Sequence, residues 1–438
     1  MRYAVISRGL SLSQIEEEIK RVGGKNIRSL PRMKQVFCEL EPAQVQRLSQ
    51  VPGLVVKQTG KVKTEQITWG DEYQVVQATY PGSQASLASR FYQLREAFSP
   101  PLTGAGATCC VLDTGIKKGH RALKNKVVYE ANFTSSPTAD DVFGHGTGVS
   151  YMACGGRHAP GEESGIAPGA KVMNLKVLED DGEGTDESVV AALDHVAELW
   201  ESAKNKGLPY TDIMFPNMVN MSFGTEDDGD PEHPVKLAVR ELYEATDREI
   251  FLIAAAGNKG PYPGTIMLPA SCPEVFAVGA VTFVPFQVWS RSSRGPTGDG
   301  RIKPDVVFYG VDLLLASNES DDSYRVKSGT SFASPAICGG GALVLDALGR
   351  FFQPLPSQCY PFGEALDWLE NVWSRVSVKA SGAPPGKDND WGYGMPTGDL
   401  ALKVFAPSGV DMMSQIVVPL FGLGMMSGVV KEMIRAGK

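Results

Sequence analysis

The amino-acid sequence predicts an α/β protein with a mostly parallel sheet and helices on both faces, preceded by a small α+β domain. Over most of the chain, short apolar runs alternate with longer stretches of helical periodicity, which is typical of a parallel sheet covered on both sides. The 48 glycines fall largely in clusters that indicate tight turns between buried strands. Residues 1–64 show a shorter alternation of their own and are predicted to form a separate domain.

This first domain is predicted to have the order βαββαβ. Its strands correspond to short apolar runs at Tyr3–Ser7, around Ile27, at Val36–Leu40 and at Leu54–Val56. A capping box of Ser13 and Glu16 should begin the first helix, and the second helix should cover Pro42–Gln50. The order is that of a ferredoxin-like domain, which is compatible with a binding module or an inhibitor.

Residues 90–402 carry the longer α/β alternation and are predicted to form the large domain. Its strands are expected at Ala107–Leu112, Val172–Leu178, Val219–Ser222, Ile250–Ala256 and Val275–Val281, and helices at Glu187–Trp200 and Pro234–Thr246. In such sheets, active sites lie outside the carboxyl ends of the strands. The polar residues that follow strands are therefore the first candidates for a functional site.

Composition narrows the class of protein and its compartment. A net charge of −8 argues against a nucleic-acid binder, which would normally carry a basic stripe. The initial apolar run is interrupted at Arg8, which argues against a secretory signal. The seven cysteines are odd in number and lack metal-ligand spacing, so we expect reduced thiols. These observations predict a cytoplasmic protein, although a non-classical export route would leave the same signature.

Three short segments supply the residue types of a nucleophilic hydrolase. Asp113 lies in Val-Leu-Asp-Thr-Gly, His145 in Gly-His-Gly-Thr, and Ser331 in Ser-Gly-Thr-Ser-Phe-Ala-Ser-Pro. A serine hydroxyl needs a base to activate it, and the base needs an acceptor that orients it. Each segment alone is also compatible with a helix cap or a turn. Together, in the order Asp, His, Ser, they predict a catalytic triad.

A fourth segment, Ala254–Asn258, follows a predicted strand and ends in an amide side chain. Acyl transfer develops negative charge on the carbonyl oxygen, and a fixed amide donor stabilises that charge. Asn258 is therefore the candidate side chain of an oxyanion hole, with the backbone N–H of Ser331 as a second donor at a helix N-terminus. An asparagine in a glycine-rich turn is the alternative interpretation.

The segments around Asp113, His145, Asn258 and Ser331 together resemble the four signature motifs of the subtilase family of serine proteases, over about residues 90–402. The resemblance implies which residues contact substrate. Ser222, Phe223, Gly224, Ala255, Ala256 and Gly257 would line the pocket for the residue before the cut. Gly182, Glu183 and Gly184 would pair with the substrate backbone by β-augmentation.

The chain departs from the family pattern at three positions. The residue three after the catalytic histidine is Gly148 where the family usually has another histidine. Phe308–Gly310 replaces the usual Ala-Pro-Gly, and Ala336 follows the Ser-Pro pair in place of histidine. None of the three is a reacting group, so we expect a divergent cleft with the same chemistry.

The resemblance also implies a role for the first domain. Residues 1–64 are similar to the family's propeptide, which would act as a chaperone and intramolecular inhibitor before self-cleavage. Residues 65–89 would then be a linker and processing region. We expect the cut between Gly60 and Arg90, near Lys63–Trp69.

Two further features are open at this stage. The acidic loops Glu179–Glu183 and Glu226–Asp230 lack EF-hand spacing. They could bind a structural calcium ion, lie as solvated surface loops, or favour basic residues in the substrate. No cofactor is required for the chemistry.

The extension at 403–438 contains an apolar segment, 416–430, which is too short to span a bilayer. It would pack on the protein surface, bind a partner or contact a membrane surface.

The sequence thus predicts a serine endopeptidase that acts on protein or peptide substrates through an acyl-enzyme on Ser331. A non-catalytic scaffold with the same fold is the main alternative. An esterase is less favoured because no Gly-x-Ser-x-Gly elbow surrounds Ser331.

Overall fold

The structure, a computed structural model, describes residues 1–64, 85, 89–156, 165–351 and 377–398. The expected processing positions near 65–69, most of the linker, and the 403–438 extension with its 416–430 segment lie outside these residues. Among the described helices, none is both long enough and apolar enough to cross a membrane.

The N-terminal module, residues 1–58, is a four-stranded antiparallel sheet covered by two helices. The strands are β1 (Arg2–Ser7), β2 (Lys25–Leu30), β3 (Gln35–Glu39) and β4 (Leu54–Gln58), and the helices are α1 (Leu12–Arg21) and α2 (Pro42–Leu48). The strand order is β2-β3-β1-β4, as expected for a ferredoxin-like fold. Ile15 and Ile19 of α1 are buried with Val5 and Val36 in the core of the module.

The capping box of α1 differs from the one predicted. Ser11 is the N-cap, and its side chain and that of Gln14 exchange hydrogen bonds with each other's backbone N–H groups. Ser13 and Glu16 instead lie within the first turns of the helix. Both pairs match the Ser-x-x-Glu/Gln pattern, so the pattern alone does not distinguish them.

The large domain is built on a seven-stranded sheet in which each neighbouring pair is parallel. Its strands are β6 (Thr108–Asp113), β7 (Val127–Asn132), β8 (Lys171–Lys176), β10 (Met218–Met221), β11 (Phe251–Ala255), β12 (Phe276–Val281) and β13 (Val306–Tyr309). The order is β13-β12-β11-β10-β6-β8-β7. The predicted α/β class with an N-terminal ferredoxin-like domain is confirmed.

Helices cover the sheet, and several short strands complete the domain. The helices are α3 (Phe91–Glu96), α4 (Gly146–Cys154), α5 (Asp186–Asn205), α6 (Pro234–Ala245) and α7 (Thr330–Phe351). The short strands are β5 (Lys61–Lys63), β9 (Glu183–Thr185), β14 (Leu313–Ala316), β15 (Tyr324–Lys327), β16 (Ser377–Val378) and β17 (Met395–Pro396). Helix α7 packs against β10 to β13 and against α4, which makes it a central element of the core.

Small residues allow α7 to lie this deep. A Cβ on Gly339 would come 2.6 Å from the Ile166 Cβ and 2.7 Å from the Ala153 carbonyl, so only glycine fits the contact between α7 and its neighbours. The central strands β6, β11 and β12 are buried along their whole length, as their continuous apolar runs predict. The edge strand β7 is half exposed and was not predicted.

Candidate active site

The carboxylate of Asp113 and the imidazole of His145 form a buried pair at the carboxyl end of β6. Asp113 Oδ1 lies 2.7 Å from His145 Nδ1 and accepts a second hydrogen bond of 2.7 Å from the Thr114 N–H. Asp113 is 1% exposed and His145 is fully buried. Because an ionised carboxylate can only accept, Nδ1 carries the imidazole proton and Nε2 presents its lone pair.

A second carboxylate, Asp141, fixes the turn that delivers His145. Its Oδ1 accepts the Gly144 N–H at 2.6 Å and the Thr114 hydroxyl at 2.7 Å, and its Oδ2 accepts the Thr147 N–H at 2.8 Å. Gly144 has a φ of +92°, and a Cβ there would meet the Asn318 side chain at 2.5 Å. Asp141 was not predicted as a site residue, because an acidic residue just before a helix is commonly a cap.

Ser331 is the second residue of α7 and is 2% exposed. Its hydroxyl donates to the Ser222 carbonyl at 3.0 Å, and within the described residues His145 Nε2 has no hydrogen-bond partner. The structure therefore brings the Asp–His pair together and leaves the Ser–His hydrogen bond unmade. Catalytic hydrogen bonds are often long or misaligned without substrate, so rotation of the serine hydroxyl remains available.

Asn258 follows β11 and is held by the residue that precedes Ser331. Its Oδ1 accepts hydrogen bonds of 3.0 Å from both the N–H and the hydroxyl of Thr330. The Thr330 hydroxyl in turn accepts the Gly257 N–H at 3.1 Å. These bonds set the plane of the Asn258 amide and link it to the start of α7.

The two segments expected to line the pocket follow the neighbouring strands β10 and β11. A residue that the sequence analysis missed, Met267, lies between them. A Cβ on Gly224 would be 3.1 Å from the Met267 Cβ, and one on Gly257 would be 2.5 Å from its Cγ. Met267 is 3% exposed. Its side chain therefore occupies the space between Ser222–Gly224 and Ala255–Gly257.

The segment after the N-terminal module runs through the expected substrate cleft as β5. It pairs antiparallel with β9, with Val62 opposite Gly184 and Lys63 opposite Glu183. On its other side, Lys63 exchanges two backbone hydrogen bonds with Gly224, of 3.1 and 3.3 Å. The Thr64 N–H donates to the Gly182 carbonyl at 3.1 Å. The residues predicted to hold a substrate backbone thus hold a strand of this chain.

Basic residues of the N-terminal module face acidic residues of the large domain. Arg2 makes a two-point contact with Glu187, at 2.5 and 2.7 Å, which raises the pKa of Arg2. Asp194 accepts the backbone N–H groups of Arg32 and Met33 at 2.8 and 3.1 Å. Other ion pairs between the two parts are Arg8–Glu232, Lys34–Glu241, Lys57–Asp230 and Lys61–Glu183.

Both acidic loops are engaged by protein groups. In the first, Glu179 accepts hydrogen bonds from Ser135 and Ser136, and Asp180 pairs with Lys176 at 3.0 Å. In the second, Asp227 pairs with Lys236. Within the described ranges, no group of three or more histidine, cysteine or acidic side chains could hold a metal ion.

A parallel sheet with a buried Asp–His pair at its carboxyl edge, a serine opening the central helix and an amide beside it defines the class of the serine hydrolases. The model of the subtilase family matches residues 104–394, more than half of the chain. The chain belongs to the subtilase family.

Relatives in the family are similar to part of this chain. The serine protease AprX of Bacillus subtilis is 33% identical over 268 residues, which cover 56% of this chain and 58% of AprX. The human membrane-bound transcription factor site-1 protease is 31% identical over 254 residues, or 57% of this chain and 22% of that protein. The chain therefore spans somewhat over half of the one relative and about a fifth of the other.

Solved structures agree in fold. Sphericase matches with a TM-score of 0.55 at 26% identity, over 68% of this chain and 92% of sphericase. Fervidolysin from Fervidobacterium pennivorans matches with a TM-score of 0.69 over 92% of this chain and 60% of that one. At 20% identity, this second likeness bears on the fold alone.

Proposed function

We propose that the protein is a serine endopeptidase that cleaves peptide bonds through an acyl-enzyme on Ser331. The observation that carries the proposal is the buried hydrogen bond of 2.7 Å between Asp113 and His145, next to a serine that opens the central helix. His145 Nε2 would take the hydroxyl proton of Ser331 as it attacks the substrate carbonyl. It would then give that proton to the leaving amine, while Asp113 stabilises the imidazolium.

Asn258 and the backbone N–H of Ser331 would stabilise the oxyanion. The bonds from Thr330 to Asn258 Oδ1 turn the oxygen of the amide toward α7, which supports a donor role for its nitrogen. The Ser331 N–H lies at the start of α7, where backbone donors and the helix dipole favour negative charge. The reaction needs no metal or organic cofactor, because nucleophile, base and oxyanion donors are all side chains or backbone of this chain.

Protein or peptide substrates would bind as an added strand, in the manner of β5. The register of β5 supports this and also indicates where the chain would cut itself. Lys63 and Gly224 form a hydrogen-bonded pair. A substrate strand in the same antiparallel register would bring the second residue after Lys63 opposite Ser222 in the reacting complex. The Ser222 carbonyl accepts the Ser331 hydroxyl. We therefore propose that self-cleavage follows Glu65, within the interval expected from the sequence.

The N-terminal module would act as the inhibitor of the zymogen. The strand β5 that follows it fills the cleft, and the basic face of the module meets the acidic face of the large domain. Lys57 and Lys61 contact acidic side chains of the two loops flanking the cleft, which supports a preference for basic residues at some distance from the cut. The blocked cleft requires release of the module before other substrates enter.

The working compartment is proposed to be reducing, and in a cell that means the cytoplasm. Six of the seven cysteines are described, and all six are free and buried. Burial raises the pKa of the Cys38 thiol to about 11 and that of Cys272 to about 12, which keeps both thiols protonated and unreactive.

The function is tested with the full chain and its Ser331→Ala variant. The wild type should split, its new N-terminus should be Gln66 by mass spectrometry, and the large fragment should be labelled by a fluorophosphonate at Ser331 once dilution has released the module. The variant should remain intact and unlabelled. Release of the module from the variant, with no other protease present, would exclude self-processing. A processed wild type that resists the probe would favour the non-catalytic scaffold.

A further inference from the structure

The active site contains a buried lysine that none of the catalytic steps above uses. Lys327 is the last residue of β15, four residues before Ser331, and it is 2% exposed. Its Nζ donates a hydrogen bond to the Gly144 carbonyl. A lysine at a strand end is usually solvated, and a buried ammonium group is costly unless nearby groups stabilise its charge.

We propose that Lys327 is a positioning residue of the active site, whose ammonium group holds the peptide preceding His145 and adds a positive charge beside the Asp113–His145 pair.

The positioning follows from the contacts of Gly144. Its N–H donates to Asp141, and its carbonyl, which belongs to the peptide bond with His145, accepts from Lys327. The peptides on both sides of Gly144 are therefore anchored, one by a carboxylate and one by an ammonium. Gly144 has a positive φ, and a glycine backbone is conformationally free because it carries no side chain. The two hydrogen bonds therefore restrict the direction in which the chain leaves the turn at His145.

The electrostatic role of Lys327 follows from the charged groups that lie near its ammonium group. The carboxylates of Asp141 and Asp113 raise the pKa of Lys327, while burial, the largest influence, lowers it overall. Arg325 on the same strand and Glu319 before it exert smaller effects of opposite sign. The Phe332 centroid lies 5.9 Å from Nζ and 5.2 Å from the centroid of His145, so an apolar side chain contacts both the ammonium group and the imidazole.

The charge of Lys327 should have its effect at the step in which His145 takes up a proton. A neighbouring cation disfavours the imidazolium, whereas Asp113 favours it. Removing the cation should therefore move the acidic limb of Ser331 labelling to higher pH. One unit charge at about 10 Å and an effective dielectric constant of about 20 moves a titration by about one pH unit.

The test measures the second-order rate of fluorophosphonate labelling of Ser331 between pH 5 and 9, with the full chain after self-processing and dilution that releases the cut module. Lys327→Met removes the charge, Lys327→Gln keeps a donor without the charge, and Lys327→Arg keeps the charge. Lys118→Met is a matched control, because Lys118 is an exposed lysine paired with Glu130. The acidic limb should move up by about one pH unit in the two neutral variants and stay in place in Lys327→Arg and Lys118→Met.

An acidic limb of Lys327→Met or Lys327→Gln that superimposes on the wild type would overturn the electrostatic role. Failure of both neutral variants to fold, seen as loss of a cooperative thermal transition, would also overturn it, since Lys327 would then be structural. The inference rests on the proposed peptidase function. If the wild type is not labelled at all, the proposed function fails and this inference with it; shifts are compared only in a labelled wild type.

Discussion

Replacing Asp194 by alanine should loosen the N-terminal module from the large domain. Asp194 Oδ1 is the acceptor for the N–H groups of Arg32 and Met33, and Met33 is 1% exposed. In the variant, the buried N–H of Met33 and the partly buried N–H of Arg32 would both lose their acceptor. At about 1–2 kcal/mol each, the loss is about 2–4 kcal/mol, or a dissociation constant raised about 30- to 1,000-fold.

The assay uses the processed protein, in which the cut module is held by non-covalent contacts alone. Diluting it should release activity toward labelled casein, and the concentration at the midpoint measures the dissociation constant. Asp194→Ala should move that midpoint upward by the stated factor, with the same activity per molecule at full release. Glu232→Ala is the control, because its partner Arg8 is 75% exposed and such a pair is worth about 1 kcal/mol or less. Equal midpoints for the two variants would refute the reasoning.

Three further predictions concern a glycine, the cysteines and a buried aspartate. Gly257→Ala should lower both the melting temperature and the labelling rate of Ser331, because φ is +107° and a Cβ would lie 2.5 Å from the Met267 Cγ; unchanged melting and labelling would contradict this. Native protein treated with iodoacetamide at pH 8 should keep its described cysteines unmodified, whereas unfolded protein should be alkylated at all of them, as peptide mass spectrometry can show. Burial tends to raise the pKa of Asp305, but Lys303 and Lys387 outweigh burial and hold it below its usual range. A depressed pKa gives stability that is present above the unfolded value and lost on acidification, so Lys387→Met should unfold at higher pH than the wild type, as followed by tryptophan fluorescence; coincident acid transitions would show that Lys387 does not stabilise the Asp305 carboxylate.

The reacting groups could be predicted from the sequence because each lies in a short, distinctive segment rich in small residues. Asp113, His145, Asn258 and Ser331 follow strands or open helices, and the apolar runs before them predict those elements. The strand β5 was not predicted, because Lys61–Lys63 has no pattern of its own and becomes a strand by pairing with β9 and Gly224. Its state is decided by tertiary contacts.

The same reason explains the other omissions. Met267 and Lys327 have side chains whose burial depends on segments far away in sequence, and nothing local distinguishes Lys327 from a surface lysine. The Ser331 hydroxyl donates to the Ser222 carbonyl and not to His145. No sequence motif specifies this side-chain rotamer. Spacing predicts which groups gather at a site, whereas the state of each group requires coordinates.

The location of Ser331 on the central helix has a consequence for synthesis of the protein. Asp113 and His145 are made early, but the nucleophile follows the strands β10 to β13, against which its helix packs. A nascent chain that has not yet reached α7 lacks a nucleophile, and one that has just reached it must dock the helix on a finished sheet. The order of elements thus delays the nucleophile until the N-terminal module, residues 1–58, has already been synthesised. Translation itself would act as a timer that protects the ribosome's surroundings from premature proteolysis.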